Sequence, residues 1–472
     1  MSLSFALGNA LSGLQATSRM AEVVSANLAN ALTEGYARRS LDLSAASVAG
    51  RGAGVRVDGV ARQADRALLA ERRGAETAME GRRATATGLA TLESAWGPEG
   101  AGIASRIAAL ESALVGASAD PASEPRLALV AQRLGETAGA FATAARAVQD
   151  GRAAADADIA AMVATLDDAL GGIEGLNRDV AAARAAGRDA AGLLDQRQAL
   201  VDRVATLVPV REVERPGGAV ALYAPGGLAL LDDRAARVGF VAAGVVTADQ
   251  TLAAGGLSGL ALDGRPLGPD GVGGLAGGRL GGAFALRDDL LPAQGARLDA
   301  VARDLLGRLR DADPTLAPGA PGLLTDAGGL PTAAPGLAGR LRVNPALDGG
   351  GAWRIRDGLG APAPGPAGDA TGLAALLDGL AQGRPLLPGG RPLGAAQAAQ
   401  EAAAGLAARR LAAEEEAGLS AARWSSLKES ELAGGVDSDA EMQALLRIEQ
   451  AYAANARVIA TVDAMMKSLL EI

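Results

Sequence analysis

The sequence predicts a mainly α protein with β-rich insertions: a coiled coil of the two terminal helices, a long helix bundle and small β-rich segments. Three observations predict it. Leu445, Ile448, Tyr452, Asn455, Ile459, Val462, Met466 and Leu469 are spaced alternately by three and four, the a/d seam of a coiled coil. Leu3, Leu7, Ala10, Leu14, Thr17, Ala21, Val24, Leu28 and Ala31 keep the same alternation at the other end. Between them, hydrophobic residues are plentiful (49% of the 472-residue chain) but aromatics are only 2%, so any core is built of Ala, Leu and Val. Such cores bury little area per residue, which favours extended helical layers over one thick globule.

A helix with a single apolar stripe cannot bury that stripe against itself. The terminal helices are therefore expected to pair with each other and with neighbouring copies. Asn455, the one polar amide in the C-terminal seam, is expected to select register at some cost in stability. Ser438 with Glu441 reads as a capping box at the start of that helix.

After Tyr36 the period changes. Ser40-Leu41-Asp42-Leu43 and Gly54 to Val60 alternate apolar and polar, with Gly50, Gly52 and Gly54 beside them, which predicts a hairpin. A helix is expected from Arg62 to Trp96, stopped by Gly97-Pro98, then a second over Ile103 to Ala117. Long helices follow from Pro125 past Asp150 to Ala186, and another over Ala191 to Leu207. Residues 208–282 read as short strands (Val210 to Val213, Ala219 to Tyr223, Val238 to Val241) cut by two Pro-Gly-Gly turns and closed by a glycine-rich run. Phe284 to Leu309 restores helix. Asp311 to Leu337 reads as a Pro/Gly-rich linker, Leu341 to Leu347 as strand and turn, and Leu373 to Leu380 as a short helix. From Leu393 an Ala-rich helix leads past Lys428 to the last coil. The expected domains are 1–60 with 431–472 as the terminal coiled coil, 61–207 with 283–310 and 393–430 as the bundle, 208–282 as a β-rich insertion, and 311–392 as a reduced outer region.

Charge and missing residues exclude whole classes. The net charge is −9, with 45 Lys and Arg against 54 Asp and Glu, and ten aromatic residues in all, which argues against a nucleic-acid track. There is no histidine and no cysteine, so Ser-His-Asp and Cys-His sites, zinc fingers and disulfides are out. Neither lysine, Lys428 or Lys467, follows a glycine as a P-loop requires. The doublets Asp167-Asp168, Asp232-Asp233 and Asp288-Asp289 read as solvated turns or helix starts, not as a carboxylate site. No catalytic residue, cofactor site or metal site is expected. No apolar run is long enough to span a membrane. The first cation is Arg19, unlike a secretory signal, which on its own suggests the cytoplasm.

Asn27-Leu28-Ala29-Asn30 and Thr33-Glu34-Gly35-Tyr36-Ala37-Arg38 resemble the N-I-A-N-x-x-T-x-G-Y-x-R signature of flagellar axial proteins. Gly435-Val436-Asp437, Glu441-Met442 and Gln450 to Ile459 resemble that family's C-terminal signature, with Gly434, Ala440 and Glu449 as departures. The L-L-D-Q-R-x-x-L segment at Leu193 to Leu200, the Ser118 to Arg126 passage, Leu286-Arg287-Asp288 and Val343-Asn344-Pro345 are similar to its hook-associated members. The resemblance implies a non-catalytic structural subunit between hook and filament, required for filament assembly and motility. It implies self-association in a helical assembly, with the hook protein, a second junction protein and an export chaperone on the C-terminal helix as partners. The location it implies is the extracellular flagellum, reached through the type III export channel without a cleaved signal peptide. The residues it singles out are the motif positions Asn27, Asn30, Gly35, Tyr36 and Arg38, while the heptad stripes single out Leu3, Leu7, Leu14, Val24 and Leu28 with the C-terminal seam for subunit packing. A hook or rod subunit is the nearer alternative and should lack the Leu193 to Leu200 segment. A secreted enzyme or glycan-binding module, with its site in the Gly-rich middle, is the more distant one.

Overall fold

The computed structural model describes residues 3–33, 35–48, 51–97, 100–386 and 389–470; Glu34, Gly50 and Pro98, which figure in the expectations above, lie outside the described residues. In chain order the elements are α1 (Leu3–Ala29), β1 (Arg39–Val48), β2 (Arg51–Arg62), α2 (Arg66–Trp96), α3 (Ile103–Ala119), α4 (Glu124–Ala185), α5 (Ala191–Leu207) and β3 (Arg211–Glu214). Then come β4 (Val220–Ala224), β5 (Leu228–Leu231), β6 (Val238–Gly239), β7 (Ala261–Leu262), β8 (Arg265–Pro266), α6 (Gly278–Ala285), α7 (Leu291–Asp311), β9 (Leu324–Asp326), α8 (Leu337–Arg340) and β10 (Leu341–Val343). The chain closes with α9 (Arg354–Asp357), α10 (Thr371–Ala381), β11 (Arg384–Pro385), β12 (Pro392–Leu393), α11 (Ala395–Ala433) and α12 (Ser438–Leu470). The protein is mainly α, and its sheets among the described residues have two or three strands each.

The chain divides into two compact units. One comprises Met1–Met79, Thr165–Arg237 and Ser420–Ile472; the other comprises Glu80–Ala164 and Val238–Leu419.

In the first unit α1 packs against α12 and also against the β1–β2 hairpin. The hairpin pairs Arg39 with Arg62 and Val48 with Arg51, with register shifts after Asp42 and Ala45. Its Val55 N–H donates to Ser12 Oγ on α1 at 3.2 Å. The expected single stripe on α1 is therefore shared between two neighbours. Ala10, Thr17 and Val24 are buried, whereas Leu7 is 37% exposed. The Gly171-Gly172 pair inside α4 does not break it. At Gly172 an added Cβ would stand 2.8 Å from Leu200 Cδ1, so the missing side chain lets α5 approach closely. Strands β3, β4 and β5 form an antiparallel sheet whose turns carry Gly217 at φ 76° and Gly226 at φ 80°. Val220, Ala221, Leu222, Leu230 and Leu231 are all buried, so both faces of the sheet are covered there.

The second unit has one continuous core. Leu89, Ile107, Leu110, Phe141, Leu298, Leu305 and Leu406 come from its long helices. Leu324 and Leu337 come from the Pro/Gly-rich stretch, and Leu341, Leu347, Ile355, Leu373 and Leu380 from the segments that follow it. Leu324 and Leu337 of the stretch read as a linker thus pack into that core, and buried arginines tie other irregular segments to its helices. Arg308, fully buried, pairs with Asp304 at 2.7 Å and donates to the carbonyls of Gly379, Leu380, Gln382 and Leu393. The last carbonyls of a helix, here α10, lack intrahelical partners and need donors, and one guanidinium brings five. Arg152 does the same for Thr247, Gln250 and Arg287.

Two helix starts differ from expectation. Arg62 ends β2, and α2 begins only after Asp65, whose Oδ1 accepts from the N–H groups of Ala67 and Leu68. The start of α12 is capped by Asp437, whose Oδ1 accepts from Asp439 N and Ala440 N at 2.9 and 3.1 Å. The expected Ser438–Glu441 box does not form, because Glu441 is used elsewhere.

Candidate functional site

The residues that stand out chemically sit where the end of α1 meets the start of α12. Asn27 lies in the last turn of α1 and is fully buried. Its amide has two donor hydrogens and an acceptor oxygen, and all are used. Nδ2 donates to Arg39 O at 2.9 Å and to Glu441 Oε2 at 3.2 Å. Oδ1 accepts from Tyr36 Oη at 2.8 Å and from Arg39 N at 2.9 Å. Glu441, with its side chain fully buried, takes a second bond from Arg38 Nε at 2.7 Å. Arg38 also donates to Gln63 Oε1 at 2.9 Å, which fixes its fork just past the end of β2.

The turn between α1 and β1 aims these groups. Asn30 Nδ2 donates to Ala26 O, closing the helix end, and Thr33 Oγ1 donates to Asn30 Oδ1. Gly35 follows at φ 79°, left-handed backbone that a Cβ would strain. The same Gly35 lies over α5, where an added Cβ would be 3.5 Å from the carbonyl oxygen of Asp195. Tyr36 then projects onto Asn27, with the Arg39 guanidinium 4.8 Å from its ring centre. Burial raises the Tyr36 phenol above its usual range; Arg39 opposes the shift, while Asp195 and Glu441 add to it.

Asp195 on α5 is the second carboxylate of the site. It accepts from Arg39 Nη2 at 2.6 Å and from Arg62 Nε at 2.7 Å, with Ala37 N at 3.4 Å. Below it, Arg72 reaches Glu76, Asp202 and Glu431 at 2.6, 2.7 and 2.9 Å, and Arg73 reaches Asp202 and Glu212. These arrangements join α1, the hairpin, α2, α5, α11 and α12 by charge. They hold backbone and side chains in place.

Along the paired helices the geometry is antiparallel. Asn27 meets Glu441, and Gly13 meets Asn455, where an added Cβ would lie 2.9 Å from Nδ2. The two contacts stand two heptads apart on both helices, so one register serves the whole pair. Val24, Ile448 and Val462 are buried; Leu3, Leu14, Leu28, Leu445, Asn455 and Ile459 are half-buried. Leu7, Tyr452, Met466 and Leu469 are exposed, as are Phe5, Leu11 and Leu446 beside them. The motif residues Asn27, Tyr36 and Arg38 share one network, with Asn30 and Gly35 shaping its turn. Sequence reasoning missed Glu441 and Asp195 as its carboxylates. The visible signal was an acid inside each motif, Glu441 at one and Asp195 at the other.

The carboxylate doublets are ordinary. Asp232 pairs with Arg215 at 2.9 Å and accepts from Tyr223 Oη, and these hydrogen bonds hold it below the usual carboxylate range. Among the described residues no group of three acidic side chains is placed to hold a metal ion. Among them, too, no helix is long and apolar enough to cross a membrane.

Three family models match the chain. Residues 89–310 match the flagellar hook-associated protein FlgK helical domain. Residues 433–472 match the C-terminal model of the flagellar basal body rod FlgEFG proteins, and residues 7–36 match the flagella basal body rod protein model. No curated protein matches. Among solved structures, the flagellar hook junction protein FlgK from Burkholderia pseudomallei is 20% identical over 54% of this chain and 46% of its own, with a TM-score of 0.46. The chain thus covers about half the length of that protein. The terminal network draws Asn27 and Tyr36 from the match at 7–36, Asp195 from that at 89–310 and Glu441 from that at 433–472.

Proposed function

We propose, for a chain that belongs to the flagellar hook-associated protein family, that it is a structural subunit of the junction between hook and filament and catalyses nothing. One observation carries this reading: rod-type ends are locked to the hook-associated helical domain by a single network through Asn27, Asp195 and Glu441. Ends of that kind place a subunit among other axial proteins, and the domain at 89–310 separates this chain from rod and hook subunits.

The subunit packs by the row Phe5, Leu11, Leu446, Tyr452, Met466 and Leu469, which its own fold leaves uncovered. Exposed apolar area of this kind is a surface for neighbouring copies, for the hook protein on one side and a second junction protein on the other. Before assembly the same row needs cover, and an export chaperone on α12 supplies it. The subunit leaves the cell through the flagellar export channel and works in the extracellular flagellum.

A clean deletion tests the reading. Hooks are expected to form, filaments to be missing, and flagellin to appear in the medium. Intact filaments would overturn it. Loss of the hooks themselves would favour the second reading, a rod or hook subunit, for which the matches at 7–36 and 433–472 speak.

A further inference from the structure

The first compact unit holds a cleft of about 1090 Å³ between the hairpin, α5 and β3. Nine arginines and five carboxylates line it, in a chain whose net charge is −9. Some of that positive charge is neutralised on the spot. Arg39 and Arg62 share Asp195, Arg66 binds Glu214, and Arg73 binds Asp202 and Glu212. Four arginines are not: Arg184, Arg188, Arg197 and Arg211 form no ion pair among the described residues.

Arg197 makes this more than a solvated surface. It is 7% exposed, and its Nη1 donates only to Asn177 Oδ1 and Gly218 O. Arg184 reaches the same turn, where an added Cβ on Gly218 would overlap its Nη1. Two guanidiniums therefore meet at one glycine with no carboxylate between them. Burial lowers the Arg197 pKa, and Arg184 and Arg62 lower it further, against opposition from Glu212 and Glu214. At the other side of the cleft Arg39 Nε is a buried donor without an acceptor. Buried donors and unpaired like charges are costly unless an anion arrives.

We infer that this cleft receives carboxylate side chains of a second copy of the chain. The inference rests on the junction reading, which sets copies side by side. The volume exceeds what one inorganic anion fills, since pockets for whole small ligands run to roughly 300–1,000 Å³. Charge supplies the partner: outside the cleft the chain is strongly acidic, so a neighbouring copy brings the sign that the cleft lacks.

The chain has no cysteine, so one thiol can be placed at will. Arg188→Cys, labelled in isolated flagella with a maleimide that carries a photoreactive group, is expected to give a cross-linked product of two copies of this chain. Adding Arg184→Glu and Arg211→Glu, both exposed positions, should lower its yield about tenfold through like-charge repulsion. Raised salt should lower it in the parent variant too. A product formed only with another protein, no product, or a yield indifferent to the reversals would overturn the inference while leaving the junction reading intact. Absence of the chain from the flagella would overturn both.

Discussion

Arg38 and Glu441 stand 403 positions apart in sequence, yet Nε and Oε1 are 2.7 Å apart and the carboxylate is wholly buried. Together with Asn27, this pair is the point at which the chain's two ends recognise each other. A buried carboxylate is tolerable only while its partners remain, so removing one costs more than the pair itself contributes.

Arg38→Ala should therefore lower the stability of the α1–α12 pair by about 2–3 kcal/mol, below the full value for a buried pair because Arg38 is one-third exposed. Arg38→Lys should fall between, since a single ammonium cannot serve both Glu441 and Gln63 in the same fork. Urea unfolding followed by amide exchange in α12 measures both. A change under about 0.5 kcal/mol for Arg38→Ala would mean that Glu441 finds water instead.

Gly13 and Asn455 should show coupling. Gly13→Ala alone brings a Cβ within 2.9 Å of the Asn455 amide, which cancels the gain in helix propensity of about 1 kcal/mol. In an Asn455→Ala background that gain should reappear, giving a coupling of at least about 0.5 kcal/mol in a double-mutant cycle. Simple additivity would show that the helices adjust freely at this crossing.

Ile459→Glu should abolish chaperone binding and filament assembly together while the second unit keeps its fold. Ile459 is half-buried beside the exposed row, so a charge there loses an aliphatic contact of about 1 kcal/mol and adds desolvation cost. Binding assays with the purified chaperone and motility plates read the two effects. Unchanged chaperone affinity would place its contact elsewhere.

Acid should act first on the Gly/Pro-rich stretch of the second unit. The Arg340 hydrogen bond lowers the pKa of Asp326, and the Arg356 hydrogen bond lowers that of Asp357. A depressed folded-state pKa gives stability that is complete above the unfolded value, near 4, and is lost as pH falls through the folded one. Trp353 reports on this region. In a Trp96→Phe, Trp424→Phe background its emission should hold down to about pH 4 and change below it. A transition already complete near pH 6 would contradict the linkage.

The heptad stripes made the helical ends, their pairing and most helix positions legible, because apolar spacing reports which face is buried. The charged partners were not legible. Glu441 fits a capping box in sequence, and only the arrival of Asn27 and Arg38 in space shows that it turns inward while Asp437 takes over the cap. The stretch from Asp311 to Leu337 misleads for a related reason. Its glycines and prolines speak of irregular backbone, which is true, but Leu323, Leu324 and Leu337 still reach the core, and Arg340 donates to the carbonyls of Ala334 and Pro335 where no strand partner does. The sequence of a loop does not name the donor that will meet its carbonyls.

The separation of Asn27 from Glu441, 414 residues, also sets an order of events in folding. Closing a loop of that length costs about 2 kcal/mol more than closing one a tenth as long, so the contact is unfavourable until the intervening units have folded and shortened the path. The lock therefore closes last, and a chain cut short before residue 441 leaves Asn27 and Arg38 each with an unmet hydrogen bond. The ends of a complete chain shield one another, and an unfinished chain stays open to proteolysis.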